Sequence, residues 1–336
     1  MANLDHELRS KGIGSSEIAM LIIDENGHSL SPWGGPHKLW RIKTGQELPE
    51  TEPKPWLERG NALEGWILNR YATKCDARLR RSPGTKQSPK YSYAVDSVDA
   101  LAWLPGDDKT PSTCVEAKAP LIFSRGEFGE QGTDQVPRQY ISQGQWHMGV
   151  WGLRKCDYPV DMGTGDIKVY HTEHDEELWR SLLMIAERFW LDHVVNNVPP
   201  PVDATEETSK WLSRRLAQRN EDLVDADEDT VKKILAYKNL RMMHDADGGK
   251  LELLANEIKL AIGEHKGICL PGQPKMRVTF TETKGRTSFD HDALILDLIK
   301  LLPPGVLPPE KQKYMKAGEP YRRLNPQAIL KEGDDK

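Results

Sequence analysis

Two charged side chains interrupt an otherwise apolar stretch, CVEAKAP, at residues 114–120. Glu116 and Lys118 lie two residues apart, so on a β-strand their side chains project from the same face. Asp99 lies upstream in SVDA, on the partner strand of an expected hairpin, and completes a D-x(n)-E-x-K pattern. Because buried, unpaired charges are very costly, these groups must pair with each other or hold a metal ion.

This pattern suits the hydrolysis of phosphodiesters. Neighbouring carboxylates repel each other, and a hard divalent cation such as Mg²⁺ relieves that repulsion through oxygen ligands. The cation can activate a water and neutralise charge on the scissile phosphate, while a lysine orients or deprotonates the water or stabilises the transition state. A Glu–Lys pair on an exposed strand has the same spacing, so the pattern alone does not separate the two interpretations.

Two helical segments carry further polar groups of the same kind. Glu64, in RGNALEGW, is a third carboxylate for a metal or its water, or else a solvated helix glutamate. Gln139 and Gln143 lie four residues apart on one helix face, with Tyr140 beside them. Amides at that spacing suit phosphate or water positioning, and a polar surface explains them equally well.

The N-terminal segment LRSKGIGSSEIA combines a cation with an expected helix start. Arg9 precedes a glycine turn, and Ser15 or Ser16 is expected to cap a helix that runs to about Ile23. The N-terminus of a helix with an arginine beside it suits an anion such as phosphate. The alternative is a plain serine cap.

The pattern of apolar residues predicts an α/β (α+β) fold with a small mixed sheet flanked by helices in residues 1–198. Helices are expected in PWLERGNALEGWILNRYATK, QVPRQYISQGQWHMGVWGL and DEELWRSLLMIAERFWLDHVV. Strands are expected in YSYAVDSVDALAW, TCVEAKAP and DIKVYHTE, and ARLRRSPGTKQSPK is predicted to be turn-rich. Near the C-terminus, KMRVTFTETKGRTSFD is expected to be a strand leading into a glycine turn, and DHDALILDLIKLL, residues 290–302, a helix. VPPPVDATEE is predicted to be a linker. Residues 199–336 are predicted to be a mainly helical appendage packed on the core, with no role assigned. A separately folded module is the alternative.

Composition limits the classes of partner. The chain has 336 residues and a formal charge of −5, so nucleic acid would need a local basic patch rather than a global positive field. Four scattered cysteines without a C-x-x-C pair predict reduced thiols and argue against a zinc or iron–sulfur site. Without a run of about 18 apolar residues, the protein is expected to be cytoplasmic with no membrane partner. The candidate basic patch, which a solvated loop would also explain, consists of Arg78, Arg80, Arg81, Lys86 and Lys90.

Together these segments resemble the lambda-exonuclease-like family, the YqaJ-type viral recombinases or alkaline exonucleases among the PD-(D/E)xK nucleases. The resemblance spans residues 9–152 and, more loosely, the chain to about residue 198. No single motif is specific, but their order is. The matching residues are Arg9 and Ser16, Glu64 in R-G-N-x-x-E, Ser97 and Asp99, Glu116, Lys118 and Pro120 in E-x-K-x-P, and Tyr140, Gln143 and Gln145.

The resemblance implies a role for each matched position. Asp99, Glu116 and the backbone carbonyl of Ala117 would bind Mg²⁺, with Mn²⁺ as a substitute, and Lys118 would activate water with support from Glu64. The pocket for a 5′-terminal phosphate would consist of Arg9, Ser16, Ser97 and Gln143. The family implies a phage- or prophage-encoded, ring-shaped homotrimer that degrades one strand of linear duplex DNA in the 5′→3′ direction. The 3′ overhang would pass to a single-strand annealing protein.

The chain departs from the family pattern around its aspartate, where S-V-D-A replaces P-D-G. Asp96 is therefore a competitor of Asp99 for the metal, although Ser97 two residues before Asp99 favours Asp99. Two alternatives stay open. One is a different PD-(D/E)xK endonuclease or a helicase-associated nuclease, and the other is a non-catalytic scaffold that binds DNA ends.

Overall fold

The computed structural model of the chain describes residues 6–47, 54–216, 222–242, 248–271, 273–283, 287–289, 315–317 and 321–325. The chain forms two compact units, Met1–Thr205 and Glu206–Lys336. The division falls seven residues after the predicted one at residue 198, because the end of the proline-rich segment is anchored in the first unit. Asp203 accepts the backbone N–H of His37, and the N–H of Ala204 donates to the carbonyl of Gly27.

Six α-helices in the described part of the first unit surround its sheet. The two longest predicted helices have clear local causes: α4 begins with a proline at its first position, and α6 is capped by Asp175, which accepts two backbone N–H groups. After α6 the chain continues as a π-helical stretch, Trp190–Val195. The helices are α1 (His6–Ser10), α2 (Ser15–Ile18), α3 (Pro36–Lys43), α4 (Pro55–Lys74), α5 (Arg138–Trp151) and α6 (Glu176–Phe189).

The sheet of this unit is mixed, as the sequence predicts. Its five strands have the order β1-β4-β5-β6-β7, with β5 and β6 parallel and the other neighbours antiparallel. The short strands β2 and β3 pair separately. The strands are β1 (Arg78–Arg81), β2 (Lys86–Gln87), β3 (Val95–Asp96), β4 (Ala100–Trp103), β5 (Thr113–Val115), β6 (Lys155–Asp161) and β7 (Ile167–Glu173).

Three predictions about strands need correction. The single strand expected over residues 91–103 is two, because β3 pairs with β2 while β4 joins the five-stranded sheet. The basic segment predicted to be turn-rich contains the edge strand β1. Strand β6 was not predicted at all, because Pro159 and three charged residues, Lys155, Asp157 and Asp161, make it unlike a central strand. It is nevertheless buried along most of its length.

Helix α5 crosses the sheet at close range, and its sequence explains why. Gly144 has no side chain at the point where the hydroxyl of Tyr158 on β6 reaches the helix, and that hydroxyl donates to the carbonyl of Tyr140. Trp146 is fully buried and donates its indole N–H to the carbonyl of Val95. The face of α5 with Gln143 and His147 is therefore held against the strands.

The second unit contains three helices in its described residues, namely α7 (Glu206–Arg215), α8 (Glu228–Met242) and α9 (Gly248–Ile262). The prediction of a mainly helical region omits the sheet found here, four strands in the order β13-β10-β9-β8. The sequence predicts the strand KMRVTFTET but not the strand TSF after the glycine turn, and the helix predicted over residues 290–302 lies outside the described residues. The strands are β8 (Leu223–Asp225), β9 (Gly267–Leu270), β10 (Gln273–Thr283), β11 (Thr287–Phe289), β12 (Met315–Ala317) and β13 (Tyr321–Asn325).

Two further predictions concern the state of the cysteines and the presence of membrane-spanning helices. Cys75, Cys114, Cys156 and Cys269 are free thiols, as predicted. Within the described ranges, no helix combines the length and the apolar character needed to cross a membrane.

Candidate active site

The segment that follows β5 continues beside β6 in an extended form. The backbone N–H of Glu116 donates to the carbonyl of Asp157, and that of Lys118 donates to the carbonyl of Pro159. Bonding at every second residue keeps both side chains on one face of the sheet. The predicted shared face is observed, and it lies against α5.

Glu116, Lys118 and Gln143 form a closed triangle of hydrogen bonds. The Lys118 Nζ lies 2.9 Å from Glu116 Oε1 and 2.9 Å from Gln143 Oε1, and Gln143 Nε2 donates to Glu116 Oε1 at 2.6 Å. The same ammonium lies 4.3 Å from the centre of the Tyr140 ring, within cation–π range. Helix α5 thus supplies two of the groups that surround the strand pair, Tyr140 and Gln143, whereas Gln139 has no contact with Glu116 or Lys118 among the hydrogen bonds described.

The charges in this triangle stabilise one another. Burial by itself would raise the pKa of Glu116, but Lys118 and His147 outweigh it and lower that pKa to about 2. For Lys118, burial would lower the pKa, and Glu116 outweighs that effect so that the pKa is raised. Near neutral pH the site therefore holds a carboxylate and an ammonium. Lys118 must lose this proton before it can act as a base.

His147 is a component of the site that the sequence analysis missed. It lies four residues after Gln143 on α5, is fully buried, and has its Nδ1 2.7 Å from Asp96 Oδ2 and its Nε2 3.2 Å from Glu116 Oε2. Burial would lower the pKa of His147, but Asp96 and Glu116 outweigh burial and raise it well above its ordinary value. The i, i+4 spacing from Gln143 is the signal that could have indicated this position.

Asp96, the competitor of Asp99 for the metal, has a different environment. It is buried, and its Oδ2 accepts both from His147 and from the indole N–H of Trp151 at 2.8 Å. Asp96 and Glu116 contact opposite nitrogens of the His147 ring. The contacts of Asp96 thus suit the support of His147, and the choice between Asp96 and Asp99 as the metal ligand stays a prediction.

Asp99 lies at the start of β4, opposite the end of β5. Its Oδ2 accepts the backbone N–H of Ala117 at 2.8 Å, which ties the aspartate to the peptide between Glu116 and Lys118. Burial, followed by the charges of Glu116 and then Glu64, raises the pKa of Asp99 well above its ordinary value. Asp99 thus lies close enough to both Glu116 and Glu64 to be repelled by their charges.

This set of oxygen donors suits a hard divalent cation, because bound Mg²⁺ would relieve the repulsion that raises the pKa of Asp99. In the part of the chain that the structure describes, no three His, Cys, Asp or Glu side chains are already arranged to hold a metal ion. Both carboxylate oxygens of Glu116 already have partners, which is one reason for this. Lys118 and Gln143 contact Oε1, and His147 contacts Oε2. A cation would have to share or replace one of these contacts.

The residues of the predicted phosphate pocket are brought together only in part. Arg9 and Ser16 meet, with Arg9 Nη2 3.4 Å from Ser16 Oγ. Ser97 instead shares a 2.8 Å hydrogen bond with Thr85, and Gln143 belongs to the Glu116–Lys118 triangle. The N-terminal segment still packs against the neighbouring elements, because the backbone of Ile13 pairs with Ala94 and the side chains of Ile13 and Ile18 share a buried core with Trp146 of α5.

The expected serine cap of the N-terminal helix is wrong. The cap residue of α2 is Gly14, whose N–H donates to Glu17 Oε2 at 2.8 Å. The same carboxylate oxygen lies 2.8 Å from Lys43 Nζ. Since α2 has only four residues, the cation Arg9 rather than a helix end is what this segment offers to an anion.

The three arginines predicted to contact DNA lie on the edge strand β1 and are exposed. Arg78 stacks over the Trp103 ring at 4.6 Å, and Arg81 donates to Asn69 on α4 at 2.7 Å. Charged side chains on an edge strand also prevent pairing with other chains. A role of Arg78, Arg80 and Arg81 in binding DNA stays a prediction.

Comparison with known proteins identifies relatives of this arrangement. Residues 6–154 match the YqaJ-like viral recombinase domain. The uncharacterized protein YqaJ of Bacillus subtilis (strain 168) is 24% identical over 257 residues, covering 75% of each chain. Among solved structures, an alkaline exonuclease of Laribacter hongkongensis, LHK-Exo, is 17% identical with a TM-score of 0.45, over 57% of this chain and 92% of its own. A phage-related exonuclease of Haemophilus somnus 129PT is 12% identical with a TM-score of 0.40, over 55% and 96%.

Proposed function

We propose that this protein is a metal-dependent 5′→3′ exonuclease of linear duplex DNA, a function that the match of residues 6–154 to the YqaJ-like viral recombinase domain supports. The observation that carries the proposal is the cluster of Asp99, Glu116 and Lys118, with Gln143 bonded to two of them. A surface Glu–Lys pair would not be buried against a helix that supplies an amide and an imidazolium. The two solved structures are named as exonucleases, and we include the same activity for this chain in the proposal.

Asp99 and Glu116 are the proposed ligands of Mg²⁺ or Mn²⁺, with the Ala117 carbonyl as a third and Glu64 as support. When bound, the cation supplies charge neutralisation at the scissile phosphate and a more acidic water. Lys118 holds its ammonium beside Glu116, where it orients the attacking water and stabilises negative charge on the phosphate. Gln143 holds Lys118 and Glu116 together and so keeps both groups aligned.

The polarity of degradation depends on a pocket for the 5′-terminal phosphate. Arg9 and Ser16 are its proposed core, with Ser97 and Gln143 as further members, because a guanidinium binds phosphate through charge-assisted hydrogen bonds. Degradation of one strand would leave a 3′ overhang for a single-strand annealing protein. A homotrimeric ring would concentrate basic residues along DNA although the whole chain is acidic. Light scattering tests the ring, and a monomeric mass on DNA would exclude it.

The decisive assay follows linear duplex DNA, with and without 5′-phosphate, in Mg²⁺ or in EDTA. We expect Lys118→Ala to lower the rate about 10²- to 10⁴-fold, the range for loss of a positioned acid–base group. Lys168→Ala, on an exposed position of β7, is the matched control and should retain the wild-type rate. A Lys118→Ala variant with the wild-type rate would refute the mechanism.

Two further arms separate the alternatives. A circular plasmid should resist the enzyme, and its rapid cleavage would favour an endonuclease. Loss of the preference for 5′-phosphate in Arg9→Ala supports the phosphate pocket, whereas an unchanged preference removes the pocket and leaves the active site in place. If purified wild-type protein binds DNA ends without cleaving them under any divalent cation, the non-catalytic scaffold is the better description.

A further inference from the structure

A cavity of about 340 Å³ adjoins the candidate active site on the side of Tyr140. Its volume falls in the range of roughly 300–1,000 Å³ that is typical of small-molecule sites. Three aromatic side chains line it, Trp33, Phe128 and Tyr140, together with polar groups that include Ser29, Ser124 and Gln139. The Lys118 ammonium lies 4.3 Å from the centre of the Tyr140 ring. The Tyr140 side chain therefore borders both the cavity and the cluster of Asp99, Glu116 and Lys118.

Trp33 is the unusual member of this lining, because 58% of its surface is exposed. Ligand pockets are lined mainly by apolar and aromatic side chains, and an exposed indole beside a cavity is available for contact with a ligand. Phe128 and Tyr140 also line the cavity, with their rings stacked at 6.0 Å between centroids. The lining thus combines an exposed indole with a packed aromatic pair.

The loop that carries Trp33 is anchored on both sides of the indole. The Trp33 N–H donates to the hydroxyl of buried Ser31, and the Trp33 carbonyl accepts from Lys38. Gly34 follows with a φ of +137°, and Gly35 lies against the Asp203 carboxylate with no room for a Cβ. An exposed side chain on an anchored loop is held ready for a ligand at little cost in conformational entropy.

We propose that this cavity is a nucleobase subsite, in which Trp33 stacks on the base of a nucleotide next to the scissile phosphate. Every base offers an aromatic face, so stacking accepts any sequence. Serine hydroxyls and the Gln139 amide meet the polar edges of a base, and Tyr140 places the base beside the Lys118 ammonium that faces the phosphate. This inference rests on the proposed nuclease function and adds the group that holds the nucleotide during cleavage.

The test compares wild type, Trp33→Ala and Trp33→Phe on linear duplexes with normal nucleotides or with one abasic nucleotide on either side of the first cleaved bond. On the normal duplex, Trp33→Ala should raise KM fivefold or more, the lower end of the effect of removing a stacking partner. Trp33→Phe should recover most of that loss. On the abasic duplex, wild type and Trp33→Ala should have the same KM.

Trp56→Ala is the matched control, because Trp56 begins α4 and is 39% exposed. It should behave as wild type on both duplexes. An unchanged KM in Trp33→Ala, or an equal loss on normal and abasic duplexes, would overturn the subsite.

Fluorescence anisotropy of the same duplexes in EDTA measures binding without cleavage and separates this inference from the proposed function. A base-dependent loss of affinity in Trp33→Ala would support the subsite even if no nuclease activity were found. Absence of binding to either duplex would overturn both proposals.

Discussion

At the scale of single residues, the central feature is the number of partners that Glu116 has. Its Oε1 contacts Lys118 and Gln143, and its Oε2 lies 3.2 Å from His147, which in turn is bonded to Asp96. The alternation of charge from Asp96 through His147 to Glu116 offsets the cost of burying each group. Each charge in this series therefore depends on its neighbour.

We predict that His147→Ala lowers the free energy of unfolding by about 3–5 kcal/mol, because it leaves Asp96 and Glu116 buried without their shared cation. Urea denaturation monitored by tryptophan fluorescence measures the change. His28→Ala removes a half-exposed histidine paired with Asp24 and should change stability by about 0.5 kcal/mol or less. A loss below 1 kcal/mol for His147→Ala would show that the imidazole does not compensate these carboxylates.

At the scale of elements, the distance between α5 and β6 decides whether the site forms. The side chains from α5 reach Glu116 and Lys118 because Gly144 lets the helix lie directly on Tyr158. Strand β6 holds the Glu116–Lys118 segment by two backbone hydrogen bonds. The candidate site thus depends on a helix and a strand whose closest point, Gly144 against Tyr158, contributes no candidate site residue.

We predict that Gly144→Ala costs about 1–3 kcal/mol of stability and lowers activity, because the added Cβ would overlap the Tyr158 hydroxyl and move α5 from the sheet. The contrasting variant is Gly65→Ala in the interior of α4, where a Cβ meets no atom within 4 Å. Since alanine favours helix, that change should stabilise the protein by about 0.5–1 kcal/mol. Thermal unfolding of both variants gives the comparison, and equal shifts of the same sign would contradict the packing argument.

At the scale of the whole molecule, a buried polar network joins distant parts of the first unit. Arg41 is fully buried, lies 2.6 Å from His37 Nδ1 and donates to Glu47 at 2.6 Å, and His37 in turn contacts Asp203 through its backbone. The loop before α3 and the end of the proline-rich segment are therefore held together. Burial, followed by the Arg41 charge, lowers the pKa of His37 to about 4.

This network predicts a loss of stability in mild acid. Between pH 6.5 and about 4 the unfolded chain binds a proton at His37 that the folded chain does not, so stability rises with pH across this window. The free energy of unfolding should fall by about 3 kcal/mol on going from pH 6.5 to 4 through this group. Glu116 adds its own loss only as the pH falls from 4.5 towards 2.

Denaturant titrations at several pH values measure this dependence, with His37→Gln as the test variant. Glutamine cannot be protonated, so the free energy of unfolding of the variant should change less between pH 4 and 6.5 than that of wild type, whatever its absolute stability. Gly65→Ala, which changes no titratable group, should retain the wild-type slope. An identical slope in His37→Gln and wild type would assign the acid sensitivity to other groups.

Sequence reasoning reached the mixed α/β fold, the helices α4, α5 and α6, and the pairing of Glu116 with Lys118. These features follow from local rules: helical spacing of apolar residues, capping by Asp175, and the two-residue period of a strand. Strand β6 escaped prediction because Pro159 and its charged residues are tolerated only by the neighbours that cover them. Gly14, rather than serine, caps α2 because Lys43 and Gly14 share the Glu17 carboxylate.

The types and spacing of Asp99, Glu116 and Lys118 were determined by the sequence itself, together with the chemistry that such groups support. Only the tertiary structure decided that His147 faces Glu116, that Asp96 contacts the opposite nitrogen of its ring, and that Trp33 borders a cavity shared with Tyr140. The physical reason is that periodicity describes neighbours within one helix or strand. Partners separated by 51 residues, such as Asp96 and His147, are chosen by packing alone.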